Sequence, residues 1–177
     1  MLTKNNEQSS ALIQLLNARL ADTIDLLYQA KQAHWNVTGP DFYALHEFFE
    51  KISDDLREHV DDIAERVTQL GGQAEGTLRM AAERSSLPEY PRQLSSGVAH
   101  LEALSKGLEA AATSMREAID QSASLGDEVT LDILVGAGRA IEKLLWMVRA
   151  HGETVPPPWA EHAAPERKPV AAARTRH

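Results

Sequence analysis

Residues 42–70 have the sequence FYALHEFFEKISDDLREHVDDIAERVTQL, and this stretch decides the fold. Apolar side chains recur in it every three or four residues, at Phe42, Leu45, Phe49, Ile52, Leu56, Val60, Ile63, Val67 and Leu70. The spacing predicts a long amphipathic helix, helix 2, which buries one face and presents an acidic face opposite. Gly71 and Gly72 follow at once and predict its C-terminal cap.

Three further long helices are predicted by the same spacing. Helix 1 is expected over residues 10–34, helix 3 over 97–122 and helix 4 over 127–151. Gly39 and Pro40 separate helix 1 from helix 2, because neither residue continues a helix comfortably. The apolar positions that define these helices are Leu12, Leu15, Leu16, Leu20, Ile24, Leu27 and Tyr28 in helix 1, Val98, Leu101, Leu104, Leu108, Met115 and Ile119 in helix 3, and Leu131, Leu134, Val135, Ile141, Leu144, Leu145 and Val148 in helix 4.

Polar caps and glycines predict local details of these helices. Ser9 or Ser10 suits the N-cap of helix 1, and Asp41 suits the N-cap of helix 2. Gly136 and Gly138 weaken the helix propensity of helix 4, so we expect them where another helix packs closely.

The connection between helices 2 and 3 is long. Residues 73–94 contain Gly76, Pro88 and Pro91, which interrupt regular structure, while residues 77–83 suit a short helix over the bundle. Four helices joined by such a crossover form the ferritin-like variant of the four-helix bundle. The sequence therefore predicts an all-α, ferritin-like fold.

The ends of the chain differ from the bundle in composition. Pro156, Pro157 and Pro158 end the helical pattern, and residues 161–177 contain four basic and two acidic residues. The whole chain has a formal charge of −8, so an acidic body carries a mildly basic tail. The predicted organisation is an N-terminal extension over residues 1–9, the bundle over 10–155 and a flexible tail over 156–177.

The composition excludes several kinds of site. The chain has no cysteine, which rules out disulfides, thiolate metal sites and cysteine nucleophiles. Its acidic body argues against binding nucleic acid by general attraction. No secretory leader pattern opens the sequence, and no run of about eighteen apolar residues occurs in it, so we expect a cytoplasmic protein.

Two pairs of candidate metal ligands lie on helix 2. His46 and Glu50 are four residues apart, as are Asp61 and Glu65, and side chains at this spacing share one helical face. Imidazole and carboxylate groups suit iron. Each pair alone is also what a solvated acidic face produces, and His34, at the end of helix 1, alone also suits a buried histidine with a satisfied hydrogen bond.

The distance between the two pairs restricts how they combine. His46 and Asp61 are fifteen residues apart, about 22 Å along a helix axis, so one ion cannot contact both within one chain. Fifteen residues at about 100° each return the direction to within about 60°, so both pairs point to the same broad side of helix 2. Only a second copy of the chain brings the pairs together.

A two-fold axis completes the ligand set. If helix 2 packs antiparallel against its copy, with the axis near Asp55 and Leu56, the first pair of one chain faces the second pair of the other. The sequence thus predicts a homodimer with two equivalent shared sites. Each site is lined by His34, His46 and Glu50 of one subunit and by Asp61 and Glu65 of the other.

A metal site inside a single bundle is not predicted. Ferritin-like centres of that kind use a Glu-x-x-His pair on each of two helices. None of the seven histidines has a glutamate three residues before it. The residues at that position are Lys31, Tyr43, Leu56, Gly97, Val148, Trp159 and Arg174.

The residues around these candidates resemble a known family. Residues 31–50 read Lys-Gln-Ala-His-Trp-Asn-Val-x-Gly-Pro-x-Phe-x-x-Leu-His-x-x-Phe-Glu, and residues 61–66 read Asp-Asp-Ile-Ala-Glu-Arg. With Leu-Pro-x-Tyr-Pro at 87–91 and Leu-Leu-Trp at 144–146, this pattern is similar to that of the Dps family, the DNA-binding proteins from starved cells. The resemblance implies a dodecameric cage with ferroxidase centres at its two-fold interfaces.

The resemblance assigns the five ligands residue by residue. His34, His46, Asp61 and Glu65 match the family pattern, whereas Glu50 stands where aspartate is often found. The implied activity is oxidation of Fe(II), preferentially by hydrogen peroxide, with storage of ferric mineral and protection of DNA from oxidative damage. Zn(II) is expected to compete for the same ligands.

Two further groups of residues receive roles from the resemblance. Trp35 is expected near the centre, where it absorbs stray oxidising equivalents, although an interface aromatic is an equal alternative. Asp127, Glu128 and Asp132 are expected near acidic three-fold pores that attract cations. The alternative for these acids is a favourable interaction with the helix dipole.

The tail is the candidate for direct DNA binding and hence for association with the nucleoid. Arg167, Lys168, Arg174 and Arg176 supply positive charge, and a cage that displays many tails adds their weak contacts together. A solubilising linker is the alternative. For the whole protein, the alternatives are a nucleoid-compacting cage with secondary or no iron chemistry and a purely structural helical oligomer.

Overall fold

The computed structural model describes residues 2–152 of the chain, and every regular element in this range is an α-helix. The helices are α1 (Leu2–Asn36), α2 (Phe42–Gln69), α3 (Leu78–Arg84), α4 (Gly97–Leu125) and α5 (Glu128–Gly152). Predicted helices 2, 3 and 4 correspond to α2, α4 and α5, and α3 is the short helix expected in the crossover. The predicted all-α bundle with a long crossover is confirmed.

The four long helices pack as two pairs around one core. α1 packs along α2, α4 packs along α5, and contacts of α1 with α4 and of α2 with α5 close the bundle. Leu16, Phe49, Leu104 and Leu134, one from each long helix, are fully buried at its centre. No helix within residues 2–152 is long and apolar enough to cross a membrane.

Helix 1 begins earlier than the sequence predicted. α1 runs from Leu2, so residues 2–9 continue the helix instead of forming a separate extension, and neither Ser9 nor Ser10 is its N-cap. These residues include no proline or glycine that would end a helix. The Gln8 side chain donates a hydrogen bond to the carbonyl of Leu125, which ties the start of α1 to the end of α4. Residues 156–177, the predicted tail, lie outside the described residues.

A short corner joins α1 to α2. Gly39 has a φ of +113°, a conformation that only glycine adopts readily, and the chain turns there. The amide of Thr38 donates to the carbonyl of Ser95 at 2.8 Å, which ties the corner to the residues before α4. Asp41 stands at the N-cap position of α2, but its side chain makes no capping hydrogen bond, contrary to the prediction. The corner places the end of α1 beside the first turn of α2.

Two carboxylates of α1 hold the crossover in place. Asp22 is 2% exposed and accepts hydrogen bonds from the Ser86 amide at 2.7 Å and from the Arg19 guanidinium at 2.8 Å. Asp25 accepts a hydrogen bond from Ser85 Oγ at 2.6 Å. The preceding helix, α3, packs on α1. The crossover is therefore a fixed part of the α1 surface.

Several predicted core positions are exposed. Tyr28 is 45% exposed, Val98 62% and Val135 39%, although the helical spacing placed all three on buried faces. The two glycines of α5 also differ: a Cβ at Gly138 would meet Met115 and Ile119 side-chain atoms at 3.2 Å, whereas a Cβ at Gly136 would meet nothing within 4 Å. Close packing is confirmed at Gly138 only.

Candidate metal centre

His34 and His46 meet at the α1–α2 corner. His34 lies in the last turn of α1 and His46 near the start of α2, and their rings stack with centroids 3.7 Å apart. His34 Nδ1 lies 2.9 Å from the carbonyl oxygen of His46, and His46 Nδ1 lies 2.9 Å from the carbonyl oxygen of His34. The two histidines thus form a reciprocal pair.

The reciprocal hydrogen bonds fix the tautomer of both rings. A carbonyl oxygen only accepts, so each Nδ1 carries the hydrogen and donates it. In the neutral ring, Nε2 then has a free lone pair, which is the form in which histidine binds a metal. Backbone carbonyls that accept from the second ring nitrogen are the usual support of metal-binding histidines. Both rings are therefore prepared to bind through Nε2.

Glu50 completes this half of the site. One oxygen of its carboxylate lies 3.4 Å from His34 Nδ1 and contacts the ammonium of Lys31. The hydrogen bond from Lys31 holds the pKa of Glu50 below its ordinary value, although burial opposes the shift. Glu50 is consequently a carboxylate over the whole physiological range, as a metal ligand must be.

Lys31 places a positive charge beside His34, His46 and Glu50, which we call the histidine half-site. Its side chain is 17% exposed, and its ammonium lies 5.6 Å from the centroid of the Trp35 ring, where a cation is attracted to the indole. The ammonium thus contacts one candidate ligand and one candidate redox residue. The Lys31–Glu50 contact competes with any metal ion for the Glu50 oxygen.

Asp61 and Glu65 are the candidates for the other half of the site. Both side chains are exposed on α2, and within the described part of the chain neither takes part in an ion pair. Among residues 2–152, no group of three or more His, Asp or Glu side chains is arranged to hold a metal ion. The structure brings His34, His46 and Glu50 together in one place and leaves Asp61 and Glu65 in another.

Two adjoining hollows lie between Trp35 and Asp61 on the subunit surface. A hollow of about 720 Å³ extends from Trp35, which is 60% exposed, to Arg57 and Val60, and a second hollow of about 630 Å³ extends from these two residues to Asp61. Leu56 is fully buried in the core, so it marks only the level of the predicted axis and does not lie on this surface. Of the five candidate ligands, only Asp61 lines either hollow, so the common side of the two pairs stays a prediction.

Comparison with known proteins decides the family. The sequence model of the ferritin-like domain matches residues 13–156. The DNA protection during starvation protein of Agrobacterium fabrum is 43% identical over 152 residues, which cover 84% of this chain and 94% of that protein. The chain is a ferritin-like protein of the Dps family.

Solved structures of Dps proteins have the same fold. DpsA14 from Streptomyces coelicolor matches with a TM-score of 0.80 and 36% identity, over 84% of this chain and 88% of that one. Dps from Mycobacterium smegmatis matches with a TM-score of 0.80 and 31% identity, over 84% and 90%. Dps from Vibrio cholerae, described as a member of the ferritin-like diiron-carboxylate proteins, matches with a TM-score of 0.77 and 27% identity, over 83% and 92%.

In this Dps-family chain, Asp127 has a structural role. Its carboxylate accepts a hydrogen bond from the Thr130 amide at 2.7 Å, which caps α5, and pairs with the Arg66 guanidinium at 2.9 Å. Burial raises its pKa, but the hydrogen bonds from Thr130 and the charge of Arg66 outweigh that effect and lower it. Asp127 is thereby committed to joining α2 and α5, whereas Glu128 and Asp132 are exposed.

Two neighbours of the centre were not assigned to it from the sequence. Lys31 contacts Glu50, and the ring of Phe42 lies 5.1 Å from that of His46. The spacing of Lys31 and His34, three residues apart on one helix, was a usable signal. The DNA-binding candidates Arg167, Lys168, Arg174 and Arg176 lie outside the described residues.

Proposed function

We propose that this chain forms a dodecameric cage that oxidises Fe(II), preferentially with hydrogen peroxide, at centres shared between two subunits, and stores the ferric product inside. The division of the ligands supports the proposal. The two histidines and Glu50 meet at the α1–α2 corner, and Asp61 and Glu65, which take part in no ion pair within residues 2–152, lie farther along α2. An antiparallel partner supplies to each half what it lacks.

The apolar surface between the halves supports the same dimer. Tyr28, Trp35 and Leu78 are 45%, 60% and 58% exposed and line the hollow beside Lys31. Leu78 belongs to α3, which the crossover holds against α1. Exposed apolar surface of this kind, flanked by charges, is typical of a protein interface. A second copy that covers it brings its Asp61 and Glu65 toward the histidines.

The chemistry follows from the ligand set. Two Fe(II) ions give two electrons to one hydrogen peroxide, which becomes two hydroxide ions. In the assembled site, Nε2 of His34 and His46 would bind iron from one side, while three carboxylates offset the added charge. Lys31 must release Glu50 for this to occur. Because the electrons pass in pairs, hydroxyl radicals are not formed, which would protect nearby DNA.

Complementation between inactive variants tests the shared site. His34→Ala/His46→Ala and Asp61→Ala/Glu65→Ala should each lose peroxide-dependent Fe(II) oxidation. A mixed dimer regains one complete site, so mixing the two after subunit exchange should restore part of the activity. Glu117→Ala/Asp120→Ala removes two exposed acids from α4, which carries none of the proposed ligands, and serves as the matched control. Verified exchange without any recovery would rule out the shared site.

The remaining predicted roles belong to the same proposal. Glu128 and Asp132 are the candidates for a cation entrance, and Trp35 for a sink of oxidising equivalents or an interface aromatic. Zn(II) would compete with iron for the histidines. The double variant Glu128→Gln/Asp132→Asn, which removes both negative charges, should slow the entry of iron into the cage without changing oxidation at the centre. The rate of mineral formation should therefore fall while the initial rate of Fe(II) oxidation stays the same.

Direct DNA binding is a second proposed function, favoured by the four basic residues of segment 161–177. Binding through these residues would be independent of sequence and would fall steeply with salt. Truncation after Trp159 should abolish a gel shift and leave Fe(II) oxidation unchanged. If the full-length protein shifts no DNA at low salt and mildly acidic pH, DNA binding by the tail is ruled out. Iron chemistry would then be the means by which the protein protects DNA.

A further inference from the structure

Tyr90 and His100 form a hydrogen-bonded pair behind the candidate metal centre. Tyr90 Oη lies 2.6 Å from His100 Nδ1, and His100 is 1% exposed. Tyr90 belongs to the crossover and His100 to α4, so neither lies on the helices that carry the proposed ligands. Burial of an imidazole requires a hydrogen-bond partner, and the phenol of Tyr90 is that partner for Nδ1.

His100 lies against both helices of the histidine half-site. The backbone carbonyl of Asn36, two residues after His34, faces its ring, and the Phe49 ring, next to Glu50 in sequence, lies 6.2 Å from it. Asn36 and Phe49 each adjoin a residue of the half-site in sequence, so packed protein connects the pair to the half-site. We take this packed protein as the path of the electron.

The protonation states of the pair suit oxidation of the phenol. Burial lowers the pKa of His100, against the effect of the Asn36 and Leu94 carbonyls, so the ring is neutral at pH 7. Burial raises the pKa of Tyr90, so the phenol keeps its proton. The neutral ring carries one hydrogen, and the nearby carbonyls of Asn36 and Leu94 favour that hydrogen on Nε2, although neither makes a hydrogen bond of ordinary geometry with it. Nδ1 therefore accepts the phenolic hydrogen.

We propose that Tyr90 is a redox-active residue that gives one electron to the metal centre when hydrogen peroxide meets a single Fe(II), and that His100 receives its proton. The inference rests on the proposed ferroxidase function. Peroxide needs two electrons to become two hydroxide ions, and one Fe(II) supplies only one. Tyr90 supplies the second, and its phenolic proton moves to His100 Nδ1. The products are one Fe(III), two hydroxide ions, a neutral phenoxyl radical and an imidazolium, so atoms and charge balance.

The position of Tyr90 also provides a route back to the resting state. Its ring lines a surface hollow of about 340 Å³ together with Pro91, Glu102 and Lys106. A small one-electron reductant, such as a thiol or ascorbate, reaches the phenoxyl edge from this hollow. His100 then returns the proton. The oxidising equivalent leaves through Tyr90 instead of attacking the ligands.

The chain has three tyrosines, so the radical can be assigned completely. Wild-type protein is mixed with one Fe(II) per site and excess peroxide and is frozen after milliseconds. Electron paramagnetic resonance should then detect an organic radical whose signal becomes narrower when the protein contains ring-deuterated tyrosine. Tyr90→Phe should abolish it. Tyr28→Phe and Tyr43→Phe, at positions 45% and 74% exposed, should leave it unchanged. In His100→Gln, the glutamine can accept a hydrogen bond but cannot take up the phenolic proton, so the radical signal should also be suppressed. Circular dichroism checks that this variant is folded.

The outcomes separate the two proposals. Fe(II) oxidation without a tyrosyl signal, or with a signal that depends on Tyr28 or Tyr43, overturns the role of Tyr90 and leaves the ferroxidase proposal standing. The same holds for a signal that narrows only with deuterated tryptophan. Wild-type protein that does not oxidise Fe(II) at all overturns both. A signal lost only in Tyr90→Phe, with Fe(II) still oxidised, establishes the inference.

Discussion

Replacing Lys31 by methionine should tighten metal binding. The ammonium of Lys31 contacts the Glu50 oxygen that a metal would use, and it also repels any divalent ion that approaches. Methionine keeps the length of the side chain and removes the charge. Lys31→Met therefore removes a competitor without opening a cavity in the core.

The expected gain follows from the geometry of the contact. A hydrogen bond to a charged group contributes about 1.5–3 kcal/mol when it is well sheltered. The Lys31 and Glu50 side chains are 17% and 34% exposed, so solvent screens the pair and the lower end applies. If a metal ion no longer has to break a contact that contributes about 1.4 kcal/mol, it should bind about tenfold more tightly.

Calorimetric titration with Co(II), which resists oxidation under these conditions, measures the effect. Lys51→Met is the matched control, because it removes the same charge from an exposed contact of 2.8 Å with Asp55 on α2. The control should change the affinity by less than about twofold. Unchanged or weaker binding in Lys31→Met would refute the reasoning, since it would mean that Lys31 orients Glu50 for the metal. Wild-type protein that binds no Co(II) would instead refute the ligand assignment.

Three further predictions concern stability, measured by urea denaturation at one protein concentration. Asp127→Asn should lower the free energy of unfolding by about 1 kcal/mol at pH 7. Because folding lowers the pKa of Asp127, this difference in stability should vanish as the pH falls below the ordinary pKa of 3.8 and then through the folded pKa. Asp132→Asn is the exposed control. Gly136→Ala should stabilise α5 by about 0.5–1 kcal/mol, whereas Gly138→Ala, whose Cβ meets side chains at 3.2 Å, should not. Burial lowers the pKa of His100, so the unfolded chain binds more protons below pH 6.5, and His100→Gln should reduce the loss of stability between pH 7 and pH 5. An equal pH dependence in wild type and His100→Gln would contradict the last prediction.

The sequence was sufficient for most of the fold because its signals are local. The apolar spacing of residues 42–70 predicted α2, and Gly71, with a φ of +84°, follows its end as expected. The same helical geometry predicted a separation of about 22 Å between His46 and Asp61, and both residues do lie on one continuous helix, α2. These properties depend only on the helix repeat.

Other features depend on contacts between distant segments. Nothing local indicates that Gln8 ties the start of α1 to α4, so the first residues were assigned to an extension. Tyr28 has the spacing of a core residue but lies 45% exposed beside the hollow, because spacing alone cannot tell the core from an interface. The contact of Lys31 with Glu50 and the tautomers of the histidines likewise require the corner to be folded.

The reciprocal hydrogen bonds of His34 and His46 make the two residues a single thermodynamic unit. Each ring takes its orientation from the backbone of the other residue, at 2.9 Å in both directions. Removing one ring therefore takes away a ligand and also releases the support of the remaining one. The loss of metal affinity in His34→Ala/His46→Ala should then be smaller than the sum of the two single losses, because most of the site has already gone after the first substitution.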